Sequence, residues 1–150
     1  AGCSLALACD LRVASEHASF IEVFVNVGLV PDSGSTWTLP RLVGIGRAME
    51  MCLTGKKVDA EEALAIGLVN QVAPADEFDD AVLKLATRLA SLPNRALALT
   101  KRLLNQTFTN DLDEQLVQEA YAQETAGRTH DHFEGVVSFI EKRKPKFTHE

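Results

Sequence analysis

The sequence is poor in cysteine and has no long apolar run. Its three cysteines, Cys3, Cys9 and Cys52, lack Cys-x-x-Cys spacing, which argues against a disulfide framework and against a zinc site. Because their neighbours are apolar, we expect reduced, buried thiols. No segment approaches the roughly 18 consecutive apolar residues that a membrane span needs, and no signal-peptide pattern is visible. We therefore expect a cytoplasmic protein that does not interact with membranes.

Positive charge is also scarce. The chain has 15 Lys and Arg against 21 Asp and Glu, which gives a formal net charge of −6. Nucleic acids and anionic membranes require concentrated positive charge, so neither is expected as a partner. The exception is local, because the segment EKRKPK at residues 141–146 carries four cations. With 46% hydrophobic residues in a chain of 150, the composition is that of a packed globular domain.

The usual signatures of hydrolases, nucleotide-binding proteins and metal sites are missing as well. The sequence has no Gly-x-Ser-x-Gly elbow, no Walker loop and no Gly-x-Gly-x-x-Gly fingerprint. His130 and His132 flank Asp131 in a segment typical of an exposed helix start, where solvated capping residues are commoner than metal ligands. We therefore predict no metal site.

The elements that the sequence does indicate change in character along the chain. Short strands are expected at residues 10–14, 19–27 and 68–74. Short helices are expected at residues 1–8, 35–43, 46–54 and 60–66. Long helices are expected at residues 78–92, 95–107, 112–126 and 132–143, where the apolar spacing becomes helical. We thus predict an α/β portion over residues 1–74 and a helical portion over residues 75–150.

The first residues suggest that the core continues upstream. The chain lacks an initiator methionine and begins within a small-residue and apolar run, AGCSLALACD. An independent domain seldom begins inside its own core. We therefore expect upstream residues to complete both the core and any active site.

The stretch GLVPDSGSTWTL at residues 28–39 places a Pro-Asp pair between a strand-like run and an amphipathic helix. By residue type alone, Asp32 is a helix N-cap, because its side-chain oxygens can accept unpaired N–H groups of the first turn. The alternative is that Asp32 is an acid/base catalyst at the end of a buried strand. The pattern by itself leaves both explanations open.

Several motifs occur in the order that one enzyme family shows. They are the small-residue helix AGCSL, the segment CDLRVA, the turn GLVPDSG, the segment ALAIGLVNQV and the ending EGVVSFIEKRKPKF. Essentially the whole chain resembles the second half of the crotonase superfamily, the enoyl-CoA hydratases and isomerases. Within it, the chain looks closest to epoxyphenylacetyl-CoA isomerases of phenylacetate breakdown. The resemblance implies an α/β superhelix of ββα turns, followed by a helical C-terminal region that makes homotrimers or hexamers.

The family binds an acyl-CoA thioester and polarises its carbonyl with two backbone N–H groups. The resemblance assigns one of these donors to Ala1, at the start of the AGCSL helix, and the other to a segment upstream. A helix N-terminus suits this task because its N–H groups are unpaired and its dipole end is positive. Tight packing of helix on strand is the alternative explanation for Ala1 and Gly2.

The two carboxylates with which hydratases of the family activate water fall on Ser4 and Phe24. Neither residue is a general base at neutral pH, since the hydroxyl lacks an activating partner and the phenyl ring has no titratable proton. Hydration is therefore not favoured, and Phe24 is expected to wall a pocket for a hydrophobic or aromatic acyl group. Isomerases that the sequence resembles place an acid/base at Asp32, so the resemblance favours catalysis there over capping.

Three further residues belong to the expected site. Trp37 is expected to line the pocket with Phe24 and to raise the pKa of Asp32 by desolvation. On a strand, Glu22 would share a face with Phe24, which makes it a second pocket carboxylate or an edge salt bridge. Lys142 matches a lysine in the family's last helix that contacts CoA phosphates, and its alternative role is a solvated cation at a helix end.

Three hypotheses remain in competition. The favoured one is an acyl-CoA isomerase that acts through an enolate, with Asp32 as the acid/base and no cofactor beyond the CoA thioester, which is the substrate. The second is another reaction of the family, such as hydration or thioester hydrolysis. The third is a catalytically inert scaffold subunit or fragment.

Overall fold

The computed structural model describes residues 1–149. Short elements come first, in the order α1 (Gly2–Leu7), β1 (Val13–Ser15), β2 (Ser19–Ile21), a 3-10 helix (Val23–Val27), α2 (Ser35–Val43), α3 (Ile45–Thr54), β3 (Lys57–Asp59), α4 (Ala60–Ala65) and β4 (Gln71–Ala73). After a second 3-10 turn (Ala75–Glu77), helices come next: α5 (Phe78–Ala90), α6 (Asn94–Gln106), α7 (Leu112–Gly127) and α8 (His130–Ile140). The predicted α/β character is confirmed.

Two pairs of short strands organise the first part of the chain. β1 lies parallel to β4, with Val13 opposite Gln71. β2 lies antiparallel to β3, with Phe20 opposite Val58. The parallel pair requires a long crossover, which the elements between β1 and β4 supply. Helix α4 contacts β2, β3 and β4, so it joins the two strand pairs.

The chain divides into two compact units, Ala1–Lys84 and the residues from Leu85 onward. The division falls within α5, later than the predicted boundary after residue 74. The first unit contains the main hydrophobic core, formed by Leu7, Ala14, Leu39, Ala48, Met51, Val58, Ala63, Leu68 and Val69. In the second unit, α6 packs on α7, and α7 packs on α8.

The strand predicted at residues 19–27 is wrong beyond Ile21. Its pairing partner β3 has only three residues, so the ladder ends and the chain turns into the 3-10 helix. Gly28 closes this helix in the left-handed conformation at φ 71° and donates its N–H to Val25 O. The alternating valines, whose pattern predicted a strand, therefore lie exposed on the 3-10 helix. Glu22 and Phe24 do not share a strand face.

Two smaller expectations are also corrected. Cys9 is exposed and Cys3 and Cys52 are half-buried, so the three free thiols are not all in the core. The start of α8 is not uniformly solvated, because Asp131 is buried while His130 and His132 are exposed. Its carboxylate accepts the backbone N–H of Thr148 at 2.7 Å, and the cap of α8 is Thr129.

Neither a membrane span nor a metal cluster is found in the described part of the chain. No helix within residues 1–149 combines the length and the apolar character that crossing a bilayer requires. Over the same residues, no group of three or more His, Cys, Asp or Glu side chains is placed to hold a metal ion.

Arg12 joins the loop after α1 to the connection between α4 and β4. Its Nε donates to Leu68 O at 2.6 Å, and its Nη1 donates to Cys9 O. Its backbone N–H donates to Asn70 Oδ1 at 2.8 Å, and the N–H of Asn70 donates back to Arg12 O at 2.9 Å. Burial lowers the pKa of the guanidinium below its ordinary value. The side chain therefore holds together two segments that are far apart in sequence.

We expect Arg12→Met to lower the free energy of unfolding by about 2–3 kcal/mol, because it leaves the carbonyls of Cys9 and Leu68 without their donor. Urea denaturation of the intact protein measures the change. Arg128→Met is the matched control. Arg128 is exposed and bonds only one helix turn back to Glu124, so its loss should cost about 0.5 kcal/mol or less. Equal effects of the two substitutions would contradict this role of Arg12.

Candidate active site

Helix α1 and the turn before α2 line an open pocket of about 380 Å³. We call it the α1 pocket; its lining residues are Ala1, Gly2, Ser4, Leu5, Ala8 and Ser33. Helices α1 and α2 pack against each other, which brings the turn at residues 32–34 to the start of α1. The structure thus brings together the predicted site residues Ala1 and Ser4 with the neighbour of Asp32. Their roles in binding or catalysis stay predictions.

The first turn of α1 is open to a ligand. Ala1 occupies the N-cap position and has no side-chain hydrogen bond to the turn, while its carbonyl accepts the N–H of Leu5 at 2.9 Å. A Cβ placed on Gly2 would meet no atom within 4 Å. Tight packing is therefore not the reason for the small residues here. The uncapped N–H groups are available as hydrogen-bond donors.

Ser4 contributes an unused polar group to the wall of the α1 pocket. The residue is 1% exposed, and its Oγ has no hydrogen-bond partner within the described residues. A serine hydroxyl can both donate and accept, and a buried hydroxyl without a partner costs about 1–3 kcal/mol. A ligand atom or a water molecule that bonds Ser4 would recover part of this cost.

Asp32 lies in an irregular segment between the first 3-10 helix and α2, not at the end of a strand. It is exposed, and its Oδ1 accepts the hydroxyl of Ser33 at 2.9 Å. The N-cap of α2 is Gly34, at φ 81°, and no side chain caps the helix. Capping by Asp32, the simplest interpretation of the sequence, is therefore wrong. The carboxylate is instead oriented by a serine that lines the α1 pocket.

Phe24 and Trp37 do not line the α1 pocket. Phe24 is half-buried in the 3-10 helix, and Trp37 is 54% exposed on α2. The Arg41 guanidinium lies 3.8 Å from the centre of the Trp37 ring and donates to Trp37 O. The desolvating apolar wall expected around Asp32 is absent from the part of the chain that the structure describes. Substrate contact by Phe24 or Trp37 stays a prediction.

Glu22 is fully buried, at 0% exposure, directly after β2. Its Oε2 accepts the hydroxyl of the equally buried Ser35 at 3.4 Å. Within residues 1–149 no Lys or Arg forms an ion pair with it, so the expected edge salt bridge is not found. Burial, followed by the charge and hydrogen bonding of Glu22, raises the pKa of the Cys3 thiol to about 12. Burial, followed by the charge of Glu22, also raises the pKa of the Cys52 thiol.

Lys142 belongs to the second unit and follows Glu141, the C-cap residue of α8. It has the left-handed backbone conformation, with φ 54°, and an exposed side chain. The next residue, Arg143, bonds both oxygens of Glu134, at 2.6 and 2.8 Å. These bonds and the N–H of Lys146 lower the pKa of Glu134 to about 2. Glu134 therefore stays ionised, and keeps the segment after Lys142 attached to α8, until the pH falls toward 2.

Two serines of this region were not identified from the sequence. Ser33 orients Asp32, and Ser35 holds Glu22. The only signal for them was their place in the run DSGST, where serine is common in any turn. Only the fold shows that one hydroxyl is at a pocket and the other in the core.

Comparison with known proteins identifies the family. The family model described as enoyl-CoA hydratase/isomerase matches residues 1–150. A probable enoyl-CoA hydratase of Rhodobacter capsulatus is 43% identical, over 99% of this chain and 58% of its own length. A 1,2-epoxyphenylacetyl-CoA isomerase of Escherichia coli is also 43% identical, over 99% of this chain and 56% of its own. The chain thus spans somewhat more than half the length of these relatives.

Solved structures agree with the sequence comparison. A putative enoyl-CoA hydratase/isomerase from Mycobacterium abscessus superposes with a TM-score of 0.96 at 38% identity, over 99% of this chain and 57% of that one. An enoyl-CoA hydratase from Bacillus anthracis gives a TM-score of 0.94 at 37% identity, over 99% and 58% of the two chains. With the fold and the family model in agreement, the chain belongs to the enoyl-CoA hydratase/isomerase family and has a crotonase-like α/β fold.

Proposed function

We propose that the protein is an acyl-CoA isomerase, which moves a proton between two carbons of a thioester through an enolate. One observation carries the proposal: the uncapped start of α1 lines the same pocket as Ser33, whose hydroxyl bonds the Asp32 carboxylate. A hydrogen-bonding site for the developing negative charge and one proton carrier are the minimum that this reaction needs. The similarity to a protein named 1,2-epoxyphenylacetyl-CoA isomerase supports it.

The backbone N–H of Ala1 is proposed to donate to the thioester carbonyl oxygen. Negative charge accumulates on this oxygen when a proton leaves the acyl chain, so the hydrogen bond strengthens as the enolate forms. Such a donor contributes roughly 3 kcal/mol to the stability of the transition state. No described residue is assigned as the second donor.

Asp32 is proposed to carry the proton. Its carboxylate removes a proton from the α or γ carbon, holds it as a carboxylic acid, and returns it to a different carbon of the dienolate. The double bond has then moved, and the enzyme has regained its starting state. The Ser33 hydroxyl bonds Oδ1, and Oδ2 is proposed to take the proton.

Hydration is the second candidate. It requires water to be held and activated, and the two family positions for this task are occupied by Ser4 and Phe24. One observation favours hydration: the hydroxyl of Ser4 has no hydrogen-bond partner among the described residues and is available to hold a water molecule in the α1 pocket. A serine cannot take the proton from that water at neutral pH, and isomerisation therefore accounts better for the residues present.

The second unit is proposed to bind the phosphates of CoA and to form the subunit interface of a homotrimer or hexamer. Lys142 is exposed and supplies a cation for a phosphate group. Large apolar side chains are exposed on α7 and α8, among them Leu112, Tyr121, Phe139 and Ile140. Apolar side chains exposed in this number favour burial against other copies of the chain. No cofactor other than the CoA thioester is invoked.

Asp32→Asn is expected to abolish isomerisation of a 3-enoyl-CoA, with a loss in kcat of about 10²-fold or more, because the amide cannot take the proton. The assay follows the change in absorbance as the full-length protein converts 3-enoyl-CoA. Hydration of 2-enoyl-CoA is measured in parallel. Asp113→Asn, an exposed carboxylate on α7, is the control and should be neutral. Full turnover by Asp32→Asn would contradict the proposal, and dominant hydration would favour the second candidate.

Lys142→Ala is expected to raise KM for acyl-CoA about tenfold with little change in kcat, since a lost charge-assisted hydrogen bond costs about 1.5–3 kcal/mol. The same acyl group on pantetheine, which lacks the phosphates, should show no difference between the two proteins. Lys144→Ala is the control. An equal effect on both thioesters would show that Lys142 does not act through phosphate.

A further inference from the structure

The buried carboxyl group of Glu22 interacts with residues of three helices. Ser35, at the start of α2, donates its hydroxyl to Oε2. Cys3 on α1 is close enough for the charge and hydrogen bonding of Glu22 to raise the pKa of its thiol. Cys52 on α3 also experiences the charge of Glu22. One buried side chain thus bonds a residue of α2 and acts electrostatically on cysteines of α1 and α3.

The contacts of Glu22 lead directly to the two predicted functional groups. Ser35 comes immediately after the turn at residues 32–34, and its N–H donates to Asp32 O at 3.0 Å. Cys3 immediately precedes Ser4, one of the residues that line the α1 pocket. A displacement of either contact would move Asp32 relative to the first turn of α1.

Burying a carboxyl group at this position costs free energy. Glu22 is 0% exposed, and in the described part of the chain no cation is paired with it. An apolar side chain of similar volume would fill the space without the cost of removing a carboxyl from water. What the carboxyl offers is directional hydrogen bonding: Oε2 accepts the hydroxyl of Ser35, while Oε1 has no hydrogen-bond partner within the described residues. Its retention is explained by geometry better than by stability.

We propose that Glu22 is a positioning residue, which fixes the Asp32 turn beside α1 through its hydrogen bond with Ser35. This inference rests on the proposed function, since it assigns Glu22 a role in the same reaction. It also differs from the role expected from the sequence, because Glu22 acts from inside the core and does not contact the substrate.

The first test compares Glu22→Met and Glu22→Gln in the intact protein. Glu22→Met keeps the volume and removes both acceptors, so kcat for 3-enoyl-CoA isomerisation should fall about tenfold while KM changes less than twofold. Glu22→Gln keeps one acceptor oxygen and should retain kcat within about threefold. In combination with Asp32→Asn, Glu22→Met should cause no additional loss, because it acts through Asp32.

Stability separates positioning from a general structural role. If Glu22 only supported the fold, Glu22→Met would change the urea midpoint and KM together and leave kcat near the wild-type value. That result would overturn the proposal. An unchanged or higher urea midpoint with a tenfold lower kcat would support it.

The second test does not depend on activity. Removing the charge of Glu22 lowers the pKa of Cys3, so Glu22→Gln should accelerate alkylation of Cys3 by iodoacetamide at pH 8.5 by at least threefold, as measured by mass spectrometry. Cys9, which is exposed and bonds Leu5 O, serves as the internal control and should not change. An unchanged rate at Cys3 would overturn the placement of Glu22 against α1. If the wild type failed to isomerise 3-enoyl-CoA, the proposed function would fail, while the Cys3 rate would still decide the placement.

Discussion

The buried guanidinium of Arg12 is the interaction on which the geometry of the first unit depends. It bonds the carbonyl of Cys9, just beyond α1, and the carbonyl of Leu68, between α4 and β4. These carbonyls belong to segments more than fifty residues apart in the chain, and the Arg12 side chain donates to both. Helix α1 has only six residues, too few for a helix to be stable by itself. Its position as a pocket wall therefore depends on the anchored loop at its C-terminal end.

Short-range patterns predicted the helices well and the connection between β2 and α2 poorly. Helices α5, α6 and α7 were predictable from apolar residues at helical spacing, because that spacing reflects burial of one face. The valines after Ile21 have strand-like chemistry, yet no neighbouring strand in the described part of the chain is long enough to pair with them. Whether a β-branched run becomes a strand depends on a partner far away in the sequence, and local patterns do not contain that information.

The candidate site was predictable in its parts and not in its arrangement. The resemblance indicated Ala1, Ser4 and Asp32, and the fold brings the first two to a pocket that Ser33 completes. The burial of Glu22 was not predictable, since glutamate is among the residues least often found inside a protein. An aromatic residue near a turn suggests a pocket wall. The Trp37 ring stacks with Arg41 and does not line the α1 pocket, and its contact with the substrate stays a prediction.

Beyond Arg143, whose side chain bonds Glu134, the C-terminal segment is held to α8 through its backbone. Glu134 accepts the N–H of Lys146, and Asp131 accepts the N–H groups of Thr148 and His149. Every residue except proline has such an N–H group, so these attachments do not depend on which side chains the segment carries. The backbone path of this segment is therefore independent of the side chains that it exposes. Related sequences can exchange the side chains at residues 146, 148 and 149, and with them the charge of this surface, while the backbone keeps its course.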